Sequence, residues 1–380
     1  ARAGRRAGAR RARRLRHPMR ILTWQWGRRG AGPRFAALLH AALGRLPATE
    51  SVLSLSAEAE ILGAADAPDC AWRYPTYSSA AGALARLLTL PLAGRRVRAE
   101  LDRLAPDVAL CAMPAVLDRL MVANLRVPYG IIVHDAVSHP GESLSFRLVD
   151  QARLLRGAAL LATLSQAVTD ELHNAGAVRP GQRVLTLTHP PMPVGDGAMP
   201  APPFAHGGRP RLLMFGRLLP YKGLDLLCQA MADLGPDPGF ILKVAGDGPD
   251  SAELGRLGAM PHVVVDRRWI PEAELAQLIG DSDALVLPYR QASQSGVAAA
   301  ALALGRQVIA TDVGGLAEQL RDAPQAILCP PDAGALADAL RRWRDRRFTP
   351  GPTPAADPMA AWTAMAAQLR AGLGAISGAA

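Results

Sequence analysis

The sequence has 380 residues, of which 49% are hydrophobic and 20% are charged, a length and composition that suit two globular domains. The formal net charge of +10 is concentrated at the start, where residues 1–18 contain eight arginines and no acid. The rest of the chain is nearly neutral, so a nucleic-acid partner is not expected. Apolar runs of about 18 residues, which a membrane-spanning helix requires, do not occur. The four cysteines stand far apart, and neither a disulfide nor a metal site is predicted.

Residues 1–18 are expected to form a basic, disordered leader, because blocks of like charge are usually solvated rather than folded. Met19, directly before the first predicted strand, is an alternative natural start. A tail that binds nucleic acid or an anionic membrane surface is the functional alternative. An arginine-rich leader without acids also resembles a transit peptide.

The first half alternates short apolar runs with helical patterns, which indicates a parallel sheet with helices on both faces. A helix is predicted at residues 35–46, whereas residues 48–100 have no clear pattern. The predicted strands of this half lie at residues 20–24, 107–111, 129–133 and 158–163.

Between residues 188 and 210 the alternation stops in a stretch rich in proline and glycine, which is typical of a linker. The second half then resumes the alternation and is predicted to be another Rossmann-like domain, followed by an amphipathic helix at residues 359–373. Its predicted strands lie at 211–215, 240–245, 262–265, 284–287 and 307–311, and its helices at 223–234, 251–257, 272–279 and 297–304.

Small and polar residues cluster directly after the predicted strands of both halves. In open parallel sheets these positions share one edge, where ligands bind, so two such domains facing each other would form one cleft. Arginine and lysine favour phosphate oxygens, and glycines at helix N-termini let backbone amides approach an anion. The candidate site residues are Gly30, Gly32, His134, Asp135, Gly216, Arg217, Lys222, Gln294, Ser295 and Gly296.

Four stretches of the second half together resemble the retaining glycosyltransferases of family 4, which have the GT-B fold. The first half matches weakly, through the glycine-rich residues 27–32 and through HDAVSHPGE at residues 134–142. The four stretches are LMFGRLLPYKGLDLL (213–227), VAGDGP (244–249), WIPEAELAQLIGDSDALVLPY (269–289) and VIATDVGGLAE (308–318).

The resemblance implies an α/β fold with two Rossmann-like, doubly wound domains facing a central cleft. An acceptor-side domain is expected at 19–190, a linker at 191–210, a nucleotide-sugar domain at 211–350, and a helix crossing back to the first domain at 351–380. It also implies that Arg217 and Lys222 hold the donor diphosphate and that Gly32 supplies backbone contacts near it. His134, followed by Asp135, matches a histidine at the reaction centre, and Ile270 lies where the family's backbone touches the nucleotide base.

One departure from the family pattern concerns two glutamates, seven residues apart, that the family carries around the loop after Tyr289. This chain reads YRQASQSGVAAAALALG there, so the two positions are Ala292 and Ala300, or Ser293 and Ala301. In the family, the second glutamate binds the ribose hydroxyls of the donor and the first lies near the sugar. Some relatives have a similar SQSG loop, in which Gln294 and Ser295 would substitute for the acids.

The expected function is transfer of a sugar, with retention, from a nucleotide-diphosphate sugar to a hydroxyl acceptor in cell-surface glycan synthesis. The acceptor would be a glycan or a lipid-linked molecule, in the cytoplasm or at the inner face of the cell membrane. The donor is a substrate, and neither a cofactor nor a metal is expected. A nucleotide-sugar epimerase on the same fold, or a degenerate non-catalytic partner subunit favoured by the missing acids, are the alternatives.

Overall fold

The computed structural model describes residues 17–64, 66–77, 79, 82, 90–136, 151–195, 200–346, 357 and 359–378. Nearly all of the predicted basic leader therefore lies outside the described residues, as do residues 137–142 of the weakly matching motif. None of the helices in the described part of the chain combines the length and apolar character that crossing a bilayer requires.

The first half is an alternation of strands and helices, as its apolar runs predict. In chain order these are β1 (Met19–Gln25), α1 (Ala31–Gly44), β2 (Thr49–Ser56), a 3-10 turn (Glu60–Gly63), β3 (Trp72–Tyr74), α2 (Leu90–Leu104), β4 (Val108–Cys111), α3 (Asp118–Asn124), β5 (Tyr129–Val133), α4 (Gln151–Gly157), β6 (Leu160–Thr163), α5 (Gln166–Asn174) and β7 (Arg183–Thr186). The strands form one parallel seven-stranded sheet in the order β3-β2-β1-β4-β5-β6-β7. Its central strands are buried on both faces, which is why they are almost continuously apolar.

The second half repeats this architecture. Its elements are β8 (Arg211–Phe215), a 3-10 turn (Pro220–Lys222), α6 (Leu224–Asp233), β9 (Ile241–Gly246), α7 (Ala252–Gly258), β10 (Val263–Arg267), α8 (Glu272–Gly280), β11 (Ala284–Leu287), α9 (Gly296–Ala303), β12 (Gln307–Thr311), α10 (Gly314–Leu320), β13 (Ala326–Cys329), α11 (Ala333–Arg346) and α12 (Ala360–Ser377). The parallel six-stranded sheet has the order β10-β9-β8-β11-β12-β13. Two Rossmann-like domains are thus confirmed.

Helix α1 begins earlier than its apolar pattern predicts, at Ala31 rather than at Phe35. The chain enters the helix through Gly30, whose φ of +81° lies in the left-handed region that favours glycine. The first turn, Ala31 to Arg34, contains no large apolar residue and is therefore invisible to a periodicity argument. The correction places the glycine pair directly at the start of a helix.

The last helix belongs structurally to the first domain, although it follows the second in the chain. Helix α12 buries Trp362, Leu369 and Leu373 in the same apolar cluster as Phe35 of α1. The rings of Phe35 and Trp362 lie 5.0 Å apart, and the Trp362 indole donates to the carbonyl oxygen of Pro191 at 2.7 Å. It runs from residue 360 to 377, longer than the predicted 359–373.

Each sheet has a point where the strand order reverses, between β1 and β4 in the first and between β8 and β11 in the second. The loops after these strand pairs diverge and leave a crevice, which is the usual ligand site of open parallel sheets. The loops that follow β1, β5, β8 and β11 carry the residues selected from the sequence other than Ile270, which follows β10. The fold therefore places the candidate residues of each domain beyond the carboxyl ends of the strands of its sheet.

The two domains also contact each other through a buried ion-pair group at the start of α8. Arg34 of α1 is only 6% exposed and pairs with Asp66 at 3.1 Å and with Glu272, the first residue of α8. The backbone N–H of Glu272 donates to the Glu60 carboxylate at 3.1 Å. Because Arg34, Asp66 and Glu60 belong to the first domain, these contacts fix α8 of the second domain against it.

Candidate functional site

The loop after β8 positions Arg217 and Lys222, and glycine makes its path possible. Gly216 has a φ of +124° and Gly223 a φ of +69°. A methyl group added at Gly223 would lie 1.7 Å from the carbonyl oxygen of Pro288, which follows β11. The backbone of the β8 loop at Gly223 therefore packs directly against the backbone of the β11 loop at Pro288. This contact fixes the backbone position of the neighbouring Lys222.

Two tyrosines hold the two cations in place. The Arg217 guanidinium donates to the Tyr221 hydroxyl at 2.9 Å. The Lys222 ammonium lies 3.7 Å from the ring centroid of Tyr289 and 5.0 Å from that of Tyr221. A cation over an aromatic face is stabilised by the ring quadrupole, so the rings orient Lys222 without neutralising its charge.

Burial and neighbouring charges perturb the acid–base behaviour of this group. Burial lowers the pKa of Lys222 to about 8 and outweighs the other influences: Tyr221 raises the pKa, Arg217 lowers it and Asp135 raises it. Burial likewise raises the pKa of Tyr289 to about 12. Since Asp135 follows β5 of the first domain, its effect on Lys222 places its carboxylate within electrostatic range of the second domain.

His134, next to Asp135, is 7% exposed at the end of β5. Its Nε2 donates to the carbonyl oxygen of Ala112 at 2.8 Å, and its ring meets that of Phe35 edge-on at 4.9 Å. Burial lowers the pKa of His134, against the opposing effects of the Ala112 carbonyl and the Asp135 charge. A neutral imidazole donating through Nε2 keeps Nδ1 as its hydrogen-bond acceptor.

The N-termini of α1 and α9 face each other across the cleft. A methyl group added at Gly296, the first residue of α9, would lie 3.5 Å from the Ala31 Cβ at the start of α1. One added at Gly32 would lie 3.1 Å from the Met113 sulfur, beside the Ala112 carbonyl that holds His134. One added at Gly216 would lie 3.5 Å from Val297 in α9. Gly32, Gly216 and Gly296 are thus points of close packing around the starts of α1 and α9, whereas a methyl group added at Gly30 would meet nothing within 4 Å.

The loop before α9 is held by its neighbours on both sides. Ser295 is the N-cap of α9, and its hydroxyl accepts from the Ala298 N–H at 3.2 Å. Gln319 of α10 brackets Ser295, accepting from its N–H at 3.0 Å and donating to its carbonyl oxygen at 3.2 Å. The Oε1 atom of Gln294 is buried without a hydrogen-bond partner. Buried acceptors without a partner are uncommon, so this oxygen is a feature of the loop that its internal hydrogen bonds do not explain.

Ile270 lies at the start of the segment that docks α8 onto the first domain. Its side chain is 5% exposed and belongs to the apolar core of the second domain, which leaves only its backbone for a ligand. The preceding Trp269 lies under the guanidinium of Arg29, at 5.4 Å from the ring centroid, and its indole N–H is buried without a partner. Arg29 belongs to the glycine-rich loop, so this contact also spans the two domains.

The structure adds residues that the sequence argument did not select. Tyr221 and Tyr289 were visible inside the motif stretches, but nothing in their spacing indicated that their rings would hold Lys222. His189 is buried beside Phe35, and burial lowers its pKa to about 4, with His134 lowering it further. It lies in the stretch that composition identifies only as a linker. Across the described ranges, no group of three or more His, Cys, Asp or Glu side chains is arranged to hold a metal ion.

Part of the chain is similar in sequence to known glycosyltransferases. Residues 209–345 match the family model described as Glycosyl transferases group 1. A D-inositol 3-phosphate glycosyltransferase of Jonesia denitrificans is 31% identical over 225 residues, which cover 51% of this chain and 51% of the relative. The protein named Putative teichuronic acid biosynthesis glycosyltransferase TuaC of Bacillus subtilis is 31% identical over 133 residues, 35% of this chain and 32% of the relative. The chain thus spans about half of the length of the first of these relatives and about a third of the second.

Among solved structures, the catalytic domain of starch synthase IV from Arabidopsis thaliana, bound to ADP and acarbose, superposes with a TM-score of 0.65. The superposition covers 95% of this chain and 100% of that one at 12% identity, so it establishes the fold alone. The two parallel sheets facing a cleft are those of the GT-B glycosyltransferase fold. Residues 209–345 are accordingly similar to the group 1 glycosyl transferases, within a chain that has the GT-B fold.

Proposed function

We propose that this protein is a glycosyltransferase that moves a sugar from a nucleotide-diphosphate donor to a hydroxyl acceptor. The observation that carries the proposal is that Asp135 of the first domain, next to the buried His134, lies within electrostatic range of Lys222 and Tyr221 of the second. With the cations in the second domain and the buried histidine in the first, the site suits a donor whose diphosphate binds the second domain and whose sugar faces the first. The match of residues 209–345 to group 1 glycosyl transferases supports the same reaction class.

Arg217 and Lys222 are suited to stabilise the nucleoside diphosphate as it departs. The guanidinium can bind two phosphate oxygens at once, and the ammonium adds a point charge. The facing N-termini of α1 and α9 contribute backbone amides and the positive ends of their dipoles. These charges are preorganised by Tyr221 and Tyr289, so little reorganisation is needed when negative charge develops on the leaving group.

His134 and Asp135 are proposed to act at the transferring sugar. With Nε2 of His134 donating to Ala112, its Nδ1 edge is suited to accept a hydrogen bond from a sugar hydroxyl. The Asp135 carboxylate lies close enough to affect Lys222, and a negative charge there would favour an electron-deficient sugar carbon. Transfer with retention, as in family 4, is the proposed stereochemical outcome.

The acceptor and the cellular location are proposed from the relatives rather than from the geometry of the site. A cell-surface glycan is proposed because one relative carries teichuronic acid biosynthesis in its name. A lipid-linked acceptor would place the protein at the inner face of the cell membrane, in peripheral contact with it. The nucleotide base is proposed to meet the backbone of Ile270, and the ribose the Gln294–Gly296 loop.

A non-catalytic partner subunit is the second candidate, and the loop after β11 is the observation that favours it. In either register, one family glutamate position is occupied by a buried alanine of α9, Ala300 or Ala301. The other position is Ala292 or Ser293. Donor binding distinguishes the candidates, because a degenerate subunit need not keep a selective nucleotide site.

The first prediction concerns the two cations. Calorimetric titration with UDP, GDP, ADP and dTDP should reveal selective binding of one nucleoside diphosphate, weakened at least ~10-fold by Arg217→Ala or Lys222→Ala because each removes a charged hydrogen-bond donor. Arg256→Ala and Lys243→Ala remove exposed cations of the same domain and serve as matched controls. Wild-type protein that binds none of the four would favour the partner-subunit candidate, and equal losses in variants and controls would contradict the phosphate assignment.

A further inference from the structure

Helix α10 touches both domains at once through its first turn. A methyl group added at Gly315 would lie 1.8 Å from the Ser293 carbonyl oxygen and 2.5 Å from the Ser165 hydroxyl oxygen. Ser165 belongs to the first domain, where it is the N-cap of α5, and Ser293 belongs to the loop before α9. Only glycine permits three segments to approach so closely, so their relative positions are tightly constrained.

The side chain of Glu318 crosses from α10 to the first domain. Its carboxylate accepts from the backbone N–H of Gln166 at 2.7 Å and of Ala167 at 2.8 Å, at the start of α5. The Ser165 hydroxyl reaches back and donates to the Ser293 carbonyl oxygen at 2.9 Å. A carboxylate at a helix N-terminus satisfies amides that have no partner inside the helix and complements the helix dipole.

The next residue, Gln319, binds in the opposite direction. Its amide brackets the backbone of Ser295, which caps α9 and lies beside the unpartnered Gln294 oxygen. Two consecutive residues of one helix therefore connect the N-terminus of α5 to the loop before α9. Because Glu318 directly precedes Gln319 on α10, a shift of this helix that changes the Glu318 contacts would also move the amide that holds Ser295.

We propose that Glu318 and Gln319 are positioning residues that couple the docking of the two domains to the shape of the donor-binding loop 293–296. The inference rests on the proposed function, because it assigns that loop to the donor. In the docked arrangement, Gln319 holds the Ser295 backbone so that the α9 amides face the cleft. When the domains separate, the loop loses its orientation and the donor is released.

The test measures nucleotide affinity in a double-mutant cycle. Glu318→Gln removes a charge at a helix terminus, and Gln319→Ala removes two hydrogen bonds to Ser295. Each is expected to weaken binding of the preferred nucleoside diphosphate about fivefold. The double variant should be only slightly worse than either single variant, since both act through the same loop. Glu50→Gln, which removes a half-exposed carboxylate paired with Arg20, is the matched control and should bind like wild type.

A further variant tests the same contact between the two domains by changing a residue of the first domain. Ser165→Ala removes the hydrogen bond to Ser293 and should also weaken nucleotide binding while leaving Glu318 in place. Wild-type affinity in Glu318→Gln, or fully multiplicative losses in the double variant, would overturn the coupling while leaving the proposed function intact. Failure of wild-type protein to bind any nucleotide would instead remove the proposed function, and the coupling with it.

Discussion

Lys222, which we propose binds a donor phosphate, carries its positive charge in a buried environment that disfavours the charged form. Burial lowers its pKa to about 8, and the tyrosine rings compensate only in part. Near neutral pH most molecules keep the charge, whereas in mild alkali most lose it. The affinity for a diphosphate should therefore depend on pH in a range where the phosphates themselves no longer titrate.

Protonated Lys222 is the form expected to bind phosphate, so the nucleotide affinity should fall as pH rises. Between pH 7 and pH 9 the charged fraction of an amine with a pKa of about 8 falls roughly tenfold, so the nucleotide Kd should rise by up to ~10-fold. Lys222→Arg keeps its charge throughout and should show a flatter profile. Calorimetry at several pH values compares the two, and a wild-type Kd that does not change with pH would exclude Lys222 as the titrating ligand.

Glycine at position 223 has a more demanding role than its left-handed φ alone suggests. Gly235 also has a positive φ, of +81°, but a methyl group there would meet nothing within 4 Å. Both Gly→Ala variants incur the left-handed strain of ~1–2 kcal/mol. Only Gly223→Ala also forces the methyl group against the Pro288 carbonyl oxygen.

Comparison of the two variants therefore isolates the backbone contact between the β8 and β11 loops. Gly223→Ala should cost at least ~2 kcal/mol more than Gly235→Ala and should also weaken nucleotide binding, since Lys222 directly precedes it. Thermal unfolding and calorimetry measure the two effects. Equal melting temperatures for the two variants would show that the loop can shift to accept a side chain.

At the scale of elements, the sequence predicts what depends on local apolar patterns and misses what depends on packing. The strands at 129–133, 211–215, 284–287 and 307–311 are found at the predicted residues because each is a short apolar run buried on both faces. Strand β2, TESVLSLS, was missed because its polar residues interrupt the pattern, and β3 has only three residues. Strand β7 lies at a half-exposed sheet edge and carries little apolar signal.

The site shows the same division. The positions of Arg217 and Lys222 in the loop after a buried strand were predictable, because the strand itself is a short apolar run. Glu318 was inside a recognised stretch, but its partners lie about 150 residues away, in α5. Contacts between domains depend on how two finished surfaces meet, and no local pattern encodes them.

At the scale of the whole molecule, buried groups with opposite effects influence stability towards acid, among them His189 and Asp118. Burial lowers the pKa of His189 to about 4, so below pH 6.5 the unfolded chain gains a proton that the folded protein resists. Burial raises the pKa of Asp118 to about 7, so the folded protein holds a proton that the unfolded chain releases. The first effect removes stability as pH falls from 6.5 towards 4, and the second adds stability over a similar range.

Because the two effects offset each other, the contribution of His189 to stability is visible only as a difference between variants. Relative to wild type, His189→Gln should gain up to ~3 kcal/mol as pH falls from 6.5 to 4, since glutamine does not titrate. His173→Gln, at an exposed position on α5, is the matched control. Denaturant unfolding of the three proteins at pH 7 and pH 4.5 tests the sign, and a constant difference across that range would contradict the prediction.

The return of α12 to the first domain has a consequence for synthesis. The apolar cluster that holds Phe35 is closed by Trp362 and Leu369, which the ribosome adds more than 300 residues later. The second domain, contiguous in sequence, can fold as soon as it emerges, whereas the first must wait with part of its core exposed. The nascent first domain is therefore expected to depend most on chaperones, and its folding should be completed only after α12 has emerged.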